Sequence, residues 1–220
     1  MENYLISKKL VVFDLDETLI TTNSSYCFLK ILYRTKVISL SRFLRAIFLR
    51  FRFYLTHMTI EELHHRAFAT LLKGLSMGAL EKDVDILLDQ LIPSSLYAPA
   101  YNELLAAQER GDYIALMSSS PDFLVKKFAA YFKIDIWEAT VYDIDKENCL
   151  CKIAKLMVGT QKERCLLRLQ KELGIPKSQV VVYTDSHDDI PLLMQAGEAV
   201  AVKPDKKLRK AAEVHHWRII

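Results

Sequence analysis

Leu10-Val11-Val12-Phe13-Asp14-Leu15-Asp16-Glu17-Thr18 is the stretch that decides the fold. Its first four residues are apolar and partly β-branched, the pattern of a parallel strand buried on both faces. The run breaks abruptly into carboxylates. Open α/β sheets bind ligands just past the carboxyl ends of such strands, so Asp14 and Asp16 stand where chemistry is expected.

Moving outward, the same pattern recurs. Residues 113–117 form a second apolar strand that runs into Ser118-Ser119-Ser120-Pro121, where Ser120 is expected to cap a helix whose first turn holds Pro121. Residues 138–142 read as a third strand, and 143–158 as a hairpin excursion. Val180-Val181-Val182-Tyr183 is a fourth strand, followed by Thr184-Asp185-Ser186-His187-Asp188-Asp189, and residues 199–202 are a fifth. Between them lie helices at 101–110, closed by Gly111, and at 161–173, closed by Gly174 and Pro176. A short one runs from Pro191 to Gly197. Strands alternating with helices predict an α/β protein with a doubly wound parallel sheet, its strand ends brought to one edge by right-handed crossovers. From residue 24 to 92 the texture changes to leucine, phenylalanine and arginine at helical spacing, an inserted helical domain. The expected division is a core of residues 1–22 and 95–220 and an insert of residues 23–94.

Composition narrows the class. The 220 residues are 51% hydrophobic and 26% charged, as a globular chain is. A net charge of +3 does not call for nucleic acid, and the basic residues form no recognisable nucleic-acid module. Cys27, Cys149, Cys151 and Cys165 show no disulfide spacing and read as free thiols. Residues 1–9 carry no signal-peptide pattern, and no apolar run is long enough to span a bilayer. A cytoplasmic location is expected.

Four segments point at one sheet edge: Asp14 and Asp16; Ser118 and Ser119 at a helix N-terminus suited to phosphate; Lys162 at the start of a helix; and Asp185 with Asp189, hard oxygen donors for a cation such as magnesium. Each has a commoner reading. An Asp-x-Asp pair is often a turn, a serine run a loop, a helix lysine a solvated face, and an acidic loop a cap. Their order and shared placement make coincidence improbable. Together they supply what phosphoryl transfer requires: a nucleophile, a proton donor, cations and phosphate donors.

The run from Asp14 to Leu19 resembles the D-x-D-x-T signature of the haloacid dehalogenase superfamily, and the other segments follow that superfamily's motifs in order. The insert after the first motif is similar to the cap of the phosphoserine phosphatase-like branch (subfamily IB hydrolases). The resemblance implies a Rossmann-like core with a helical cap and a magnesium-dependent phosphatase acting on a small-molecule phosphomonoester. It implies Asp14 as nucleophile, Asp16 as acid and base, Ser118 and Ser119 at the phosphoryl oxygens, and Lys162 as balancing cation. Magnesium is implied on Asp14, the main-chain carbonyl of Asp16 and Asp185, with Asp189 behind. Two departures from the pattern weaken a specific phosphoserine reading. Ser118-Ser119-Ser120 stands where S-G-G is usual, and Asp188 where an asparagine is usual. Asp188 is expected to point away and cap the helix near Pro191. Phosphotransfer to another acceptor, a lipid-phosphate phosphatase and a non-catalytic binding protein are the alternatives.

Residues 42–55 are both basic and apolar, with Arg42, Arg45 and Arg52 on one side of a helix. The favoured reading is a cap helix with its apolar face in the cap core; membrane contact is the less favoured one. The adjacent pairs His64-His65 and His215-His216 are discounted as metal sites.

Overall fold

The structure is a computed structural model describing residues 8–220. The expectation about a leader falls largely on the first seven residues, outside those described. Strand β1 (Leu10–Phe13) is followed by four helices, α1 (Ser24–Arg34), α2 (Leu40–Leu55), α3 (Ile60–Ala67) and α4 (Met77–Ser95). A π-helical turn at Phe68–Leu72 extends α3. Then come α5 (Ala98–Arg110), β2 (Tyr113–Pro121), α6 (Asp122–Phe132), and the hairpin β3 (Ile136–Ile144) and β4 (Leu150–Lys155). The chain closes through α7 (Thr160–Leu173), β5 (Val180–Thr184), α8 (Ile190–Leu193), β6 (Glu198–Ala201), α9 (Lys206–His215) and β7 (Arg218–Ile219).

Among the described residues the sheet has seven strands in the order β4-β3-β2-β1-β5-β6-β7. Every pairing is parallel except β3 with β4. β1 lies between β2 and β5, so three chain-distant strand ends reach the same edge. Its alternation shows why the run is apolar throughout. Val11 and Phe13 face the core shared with α1, α4, α5 and α6, while Leu10 and Val12 face the one under α7, α8 and α9.

Helix starts follow local chemistry. Asn23 caps α1 by accepting from the Tyr26 N–H, Ser39 caps α2 from Arg42, and Thr59 and Glu62 form a reciprocal capping box on α3. Gly111 and Gly174 end α5 and α7 at φ of 70° and 67°, where a side chain would be strained.

Three expectations need correction, and two C-terminal elements stand outside any expectation. β2 runs on through the serines to Pro121, and α6 starts at Asp122 without a side-chain cap, because the Ser120 hydroxyl is used elsewhere. The helix after Pro191 ends at Leu193 rather than near Gly197. Helix α9 and strand β7 have no counterpart in the sequence expectations; β7 is only two residues long. Finally, α2 does not bury its whole apolar surface. Phe43, Ala46, Leu49 and Phe53 turn inward or toward a cavity, while Leu40, Leu44, Phe48, Phe51 and Leu55 are exposed.

Candidate active site

Asp14 follows β1 directly, and its N–H donates to the Tyr183 carbonyl at 2.9 Å, tying the ends of β1 and β5 together. Lys162 enters from the first turn of α7. Its Nζ is 3.1 Å from Asp14 Oδ1 and 2.7 Å from Asp189 Oδ2, and the side chain is only 5% exposed. Asp189 also accepts from the Thr184 hydroxyl at 2.8 Å, and Asp185 from the Thr18 hydroxyl at 3.3 Å. Asp16 is held from two sides, by the Ser24 N–H on one oxygen and by the Ser120 hydroxyl at 2.6 Å on the other. The predicted residues of four separate segments thus meet at one sheet edge.

The serines divide their work. Ser119 and Ser120 line the cavity. The Ser118 oxygen lies just behind, buried, accepting from the Ser120 N–H at 3.1 Å, which leaves its own proton to donate. Thr140, on β3, steadies this end of β2 by donating to the Ser119 carbonyl at 2.8 Å.

Charge is unbalanced here. Burial, with the charges of Asp189 and Asp16 adding and Lys162 opposing, pushes Asp14 up to about 7. Burial, then repulsion by Asp14 and Glu17, pushes Asp185 up to about 8. Burial also raises Asp16, against the hydrogen bonds from Ser120 and Ser24. For Lys162 burial acts downward, but Asp14 and Asp189 prevail and hold it above its usual range. One buried cation faces four carboxylates.

A stability prediction follows. In the unfolded chain these aspartates titrate near 3.8, whereas the folded chain keeps protons on Asp14 and Asp185 up to about 7 and 8. The folded state therefore binds more protons across that window, and stability falls as pH rises through it. In chelator, the unfolding temperature is expected to drop between about pH 5 and about pH 8.5, and Asp185→Asn to flatten the drop. A wild-type temperature rising over that range contradicts it.

Above these residues opens a cavity of about 460 Å³. Its floor is acidic, with Asp14, Asp16, Asp185 and Asp189. Its upper wall comes from α1, α2, α3 and the π-helical turn, and is mainly apolar: Phe28, Leu32, Phe53, Leu63, Phe68 and Leu71. That wall adds Arg50 and His64 but no carboxylate. Burial, then His65 and Lys162, hold His64 down at about 4, so it is neutral at pH 7.

Sequence reasoning passed over several of these groups. Ser120 reads as a helix cap in the sequence, yet it holds Asp16. Thr18 is the threonine of the D-x-D-x-T run, and only the fold shows that it donates to Asp185; Thr184 gives no signal beyond adjacency to Asp185. His64 is one of two adjacent histidines in the sequence, and only the tertiary fold turns it toward the cavity. Asp188 does not cap the helix near Pro191. The 3₁₀ turn there is capped by Ser186, whose hydroxyl accepts from the Asp188 N–H at 3.2 Å. Asp188 instead lines the cavity as a residue, and its carboxylate lies 3.6 Å from the His187 ring.

The donor chemistry suits a hard divalent cation, since Asp14 and Asp185 repel each other and Lys162 alone does not offset them. Among the described residues no three His, Cys, Asp or Glu side chains form a metal-holding group. A cation here would draw on two carboxylates together with main-chain oxygen.

Known proteins resemble this chain to different depths. The chain is 25% identical over 223 residues to an inhibition of morphological differentiation protein of Streptomyces azureus, spanning 100% of this chain and 80% of the other. It is 23% identical over 210 residues to a probable phosphatase of Mycobacterium tuberculosis, spanning 94% and 73%. A Bordetella pertussis crystal structure of unknown function superposes with a TM-score of 0.85 at 22% identity, over 97% and 99% of the two chains. A substrate-bound phosphoserine phosphatase superposes with a TM-score of 0.73 at 18% identity, over 97% and 93%. These structural likenesses show a common fold. The sequence profile of the haloacid dehalogenase-like hydrolases matches residues 11–194, most of the chain, and the protein belongs to that family.

Proposed function

We propose that the protein is a magnesium-dependent phosphomonoesterase that works through an aspartyl-phosphate on Asp14. The observation that carries this is the pairing of two differently held carboxylates at one strand end. Asp14 is ion-paired to Lys162 and faces the cavity; Asp16 is gripped by Ser24 and Ser120 and has a raised pKa. One is suited to attack, the other to carry a proton.

An Asp14 oxygen bonds to phosphorus as the bond from phosphorus to the leaving oxygen breaks. Asp16 gives its proton to that oxygen. Asp16, now a carboxylate, takes a proton from water; the water oxygen bonds to phosphorus, the acyl-phosphate bond breaks, and Asp14 is restored. Lys162, Ser118 and Ser119 hold the phosphoryl oxygens throughout. Asp14, the main-chain carbonyl of Asp16 and Asp185 would hold magnesium, with Asp189 behind. Bound there, the ion supplies the positive charge that lets a carboxylate approach a phosphate dianion.

Residues 23–94 serve as the cap in this reading. The part of the cavity wall that it supplies carries no carboxylate and is mainly apolar, Glu17 and Asp188 lining the cavity from the core side, so that wall suits an apolar leaving group better than an amino acid. Phosphate release from an alkyl or aryl phosphate is expected to be magnesium-dependent and at least about tenfold more efficient in kcat/KM than from phosphoserine. Undiminished release after chelation would refute the metal; preference for phosphoserine would refute the cap assignment.

A further inference from the structure

Helix α2 is apolar on two sides, and the fold covers only one. Turned inward are Phe43 and Ala46, packed on the core, and Leu49 and Phe53, at the cavity. Turned outward are Leu40, Leu44, Ile47, Phe48, Phe51 and Leu55, a stripe about 100° wide at 100° per residue. Phe48 is 65% exposed, Phe51 59% and Leu55 68%, values unlike those of a core helix. Contiguous exposed apolar surface of this kind marks a contact site.

The charge around the stripe says what fits it. From Thr18 to Ile60 the chain has no aspartate or glutamate, while seven lysines and arginines fall within it. Arg45 and Arg52, both exposed, run along one border of the stripe. Stacking of Tyr33 on Phe43, with centroids 4.7 Å apart, sets Arg34 at the end of α1, and Lys36 just after it, beside the start of α2. A two-fold contact with a second copy would place these cations against themselves, with no acid in the segment to answer them. A surface with anionic headgroups over an apolar interior answers both features at once.

We propose that α2 docks the protein on anionic lipid bilayers, lying in the headgroup plane. Phe48, Phe51 and Leu55 enter the acyl boundary, and Arg45 and Arg52 meet the lipid phosphates. Among the described residues no helix is long and apolar enough to cross a membrane, so the contact is peripheral and reversible. Docking does not depend on the phosphatase reading and would stand if that reading failed. With it, Leu49 and Phe53 on the inner face place the cavity wall one helix diameter, about 10 Å, from the lipid.

The test is co-sedimentation of the full chain with phosphatidylcholine vesicles and with mixed phosphatidylcholine–phosphatidylserine vesicles. Binding is expected only to the mixed vesicles, weakening with salt. It should fall about fivefold for each arginine removed in Arg45→Gln and Arg52→Gln, and at least about tenfold in the Phe48→Ser/Phe51→Ser variant. Unfolding temperatures of these surface variants should match the parent. Absence of binding to mixed vesicles overturns the proposal, as does equal binding to both kinds. So does a dimer in solution that the Phe48→Ser/Phe51→Ser change dissolves, for a second copy would then be the occupant.

Discussion

Asp14→Asn is expected to lower phosphate release by at least about 10⁴-fold while leaving the fold intact. An amide oxygen accepts hydrogen bonds but cannot form the acyl phosphate, and the nearby Asp16 and Asp189 are not placed to replace it. Asp16 has both oxygens engaged by Ser24 and Ser120, and Asp189 is turned to Lys162 and Thr184. The structural consequence runs the other way. Removing one carboxylate from a cluster in which burial and like charge raise Asp14 and Asp185 relieves repulsion, so the variant should be at least as heat-stable as the parent at about pH 8 in chelator. Normal turnover in a folded Asp14→Asn protein would end the aspartyl-phosphate mechanism. A variant both inactive and unfolded would show Asp14 to be structural.

Lys162→Met should cost about 10³-fold in kcat and should also destabilise the protein, by about 3 kcal/mol in chelator at neutral pH. Lys162 is nearly inaccessible and contacts Asp14 and Asp189 together. Methionine keeps the stem and removes the charge, leaving two buried carboxylates unanswered. They can take up protons, so the stability loss should shrink toward pH 5 and grow toward pH 8. A loss of stability independent of pH would mean that the stem, rather than the charge, matters; a loss of stability without loss of kcat would remove Lys162 from the phosphate site.

Much of this was legible in the sequence because it rests on local pattern. A four-residue apolar run that stops at Asp14, and another that stops before Asp185, announce buried parallel strands and the edge where they end. The motif carboxylates and Lys162 could be placed from order alone. What could not be read depends on contacts across the chain. Ser120 looks like a helix cap until Asp16, more than a hundred residues earlier, is seen to accept a hydrogen bond from its hydroxyl. His64 is one of two adjacent histidines until α3 turns it to the cavity. The short β7, two residues long, carries no periodicity and exists because β6 offers an open edge. Amphipathicity also misled in α2. A helix apolar on both faces looks like a buried one, and only the packing shows which face stays uncovered.

The central position of β1 has a consequence for how the chain is made. Its register partners are Tyr113–Leu116 on one side and Val180–Tyr183 on the other, separations of over a hundred residues in each case. A ribosome that has released the four helices after β1 has supplied nothing to cover either edge of Leu10–Phe13. One edge waits for β2 and the other for nearly the whole polypeptide. Such distant pairing makes folding slow, and the most apolar strand stays unsatisfied longest, which is where a nascent chain recruits a chaperone or meets another chain. Truncation before Val180 should therefore yield a product that aggregates rather than a smaller working domain.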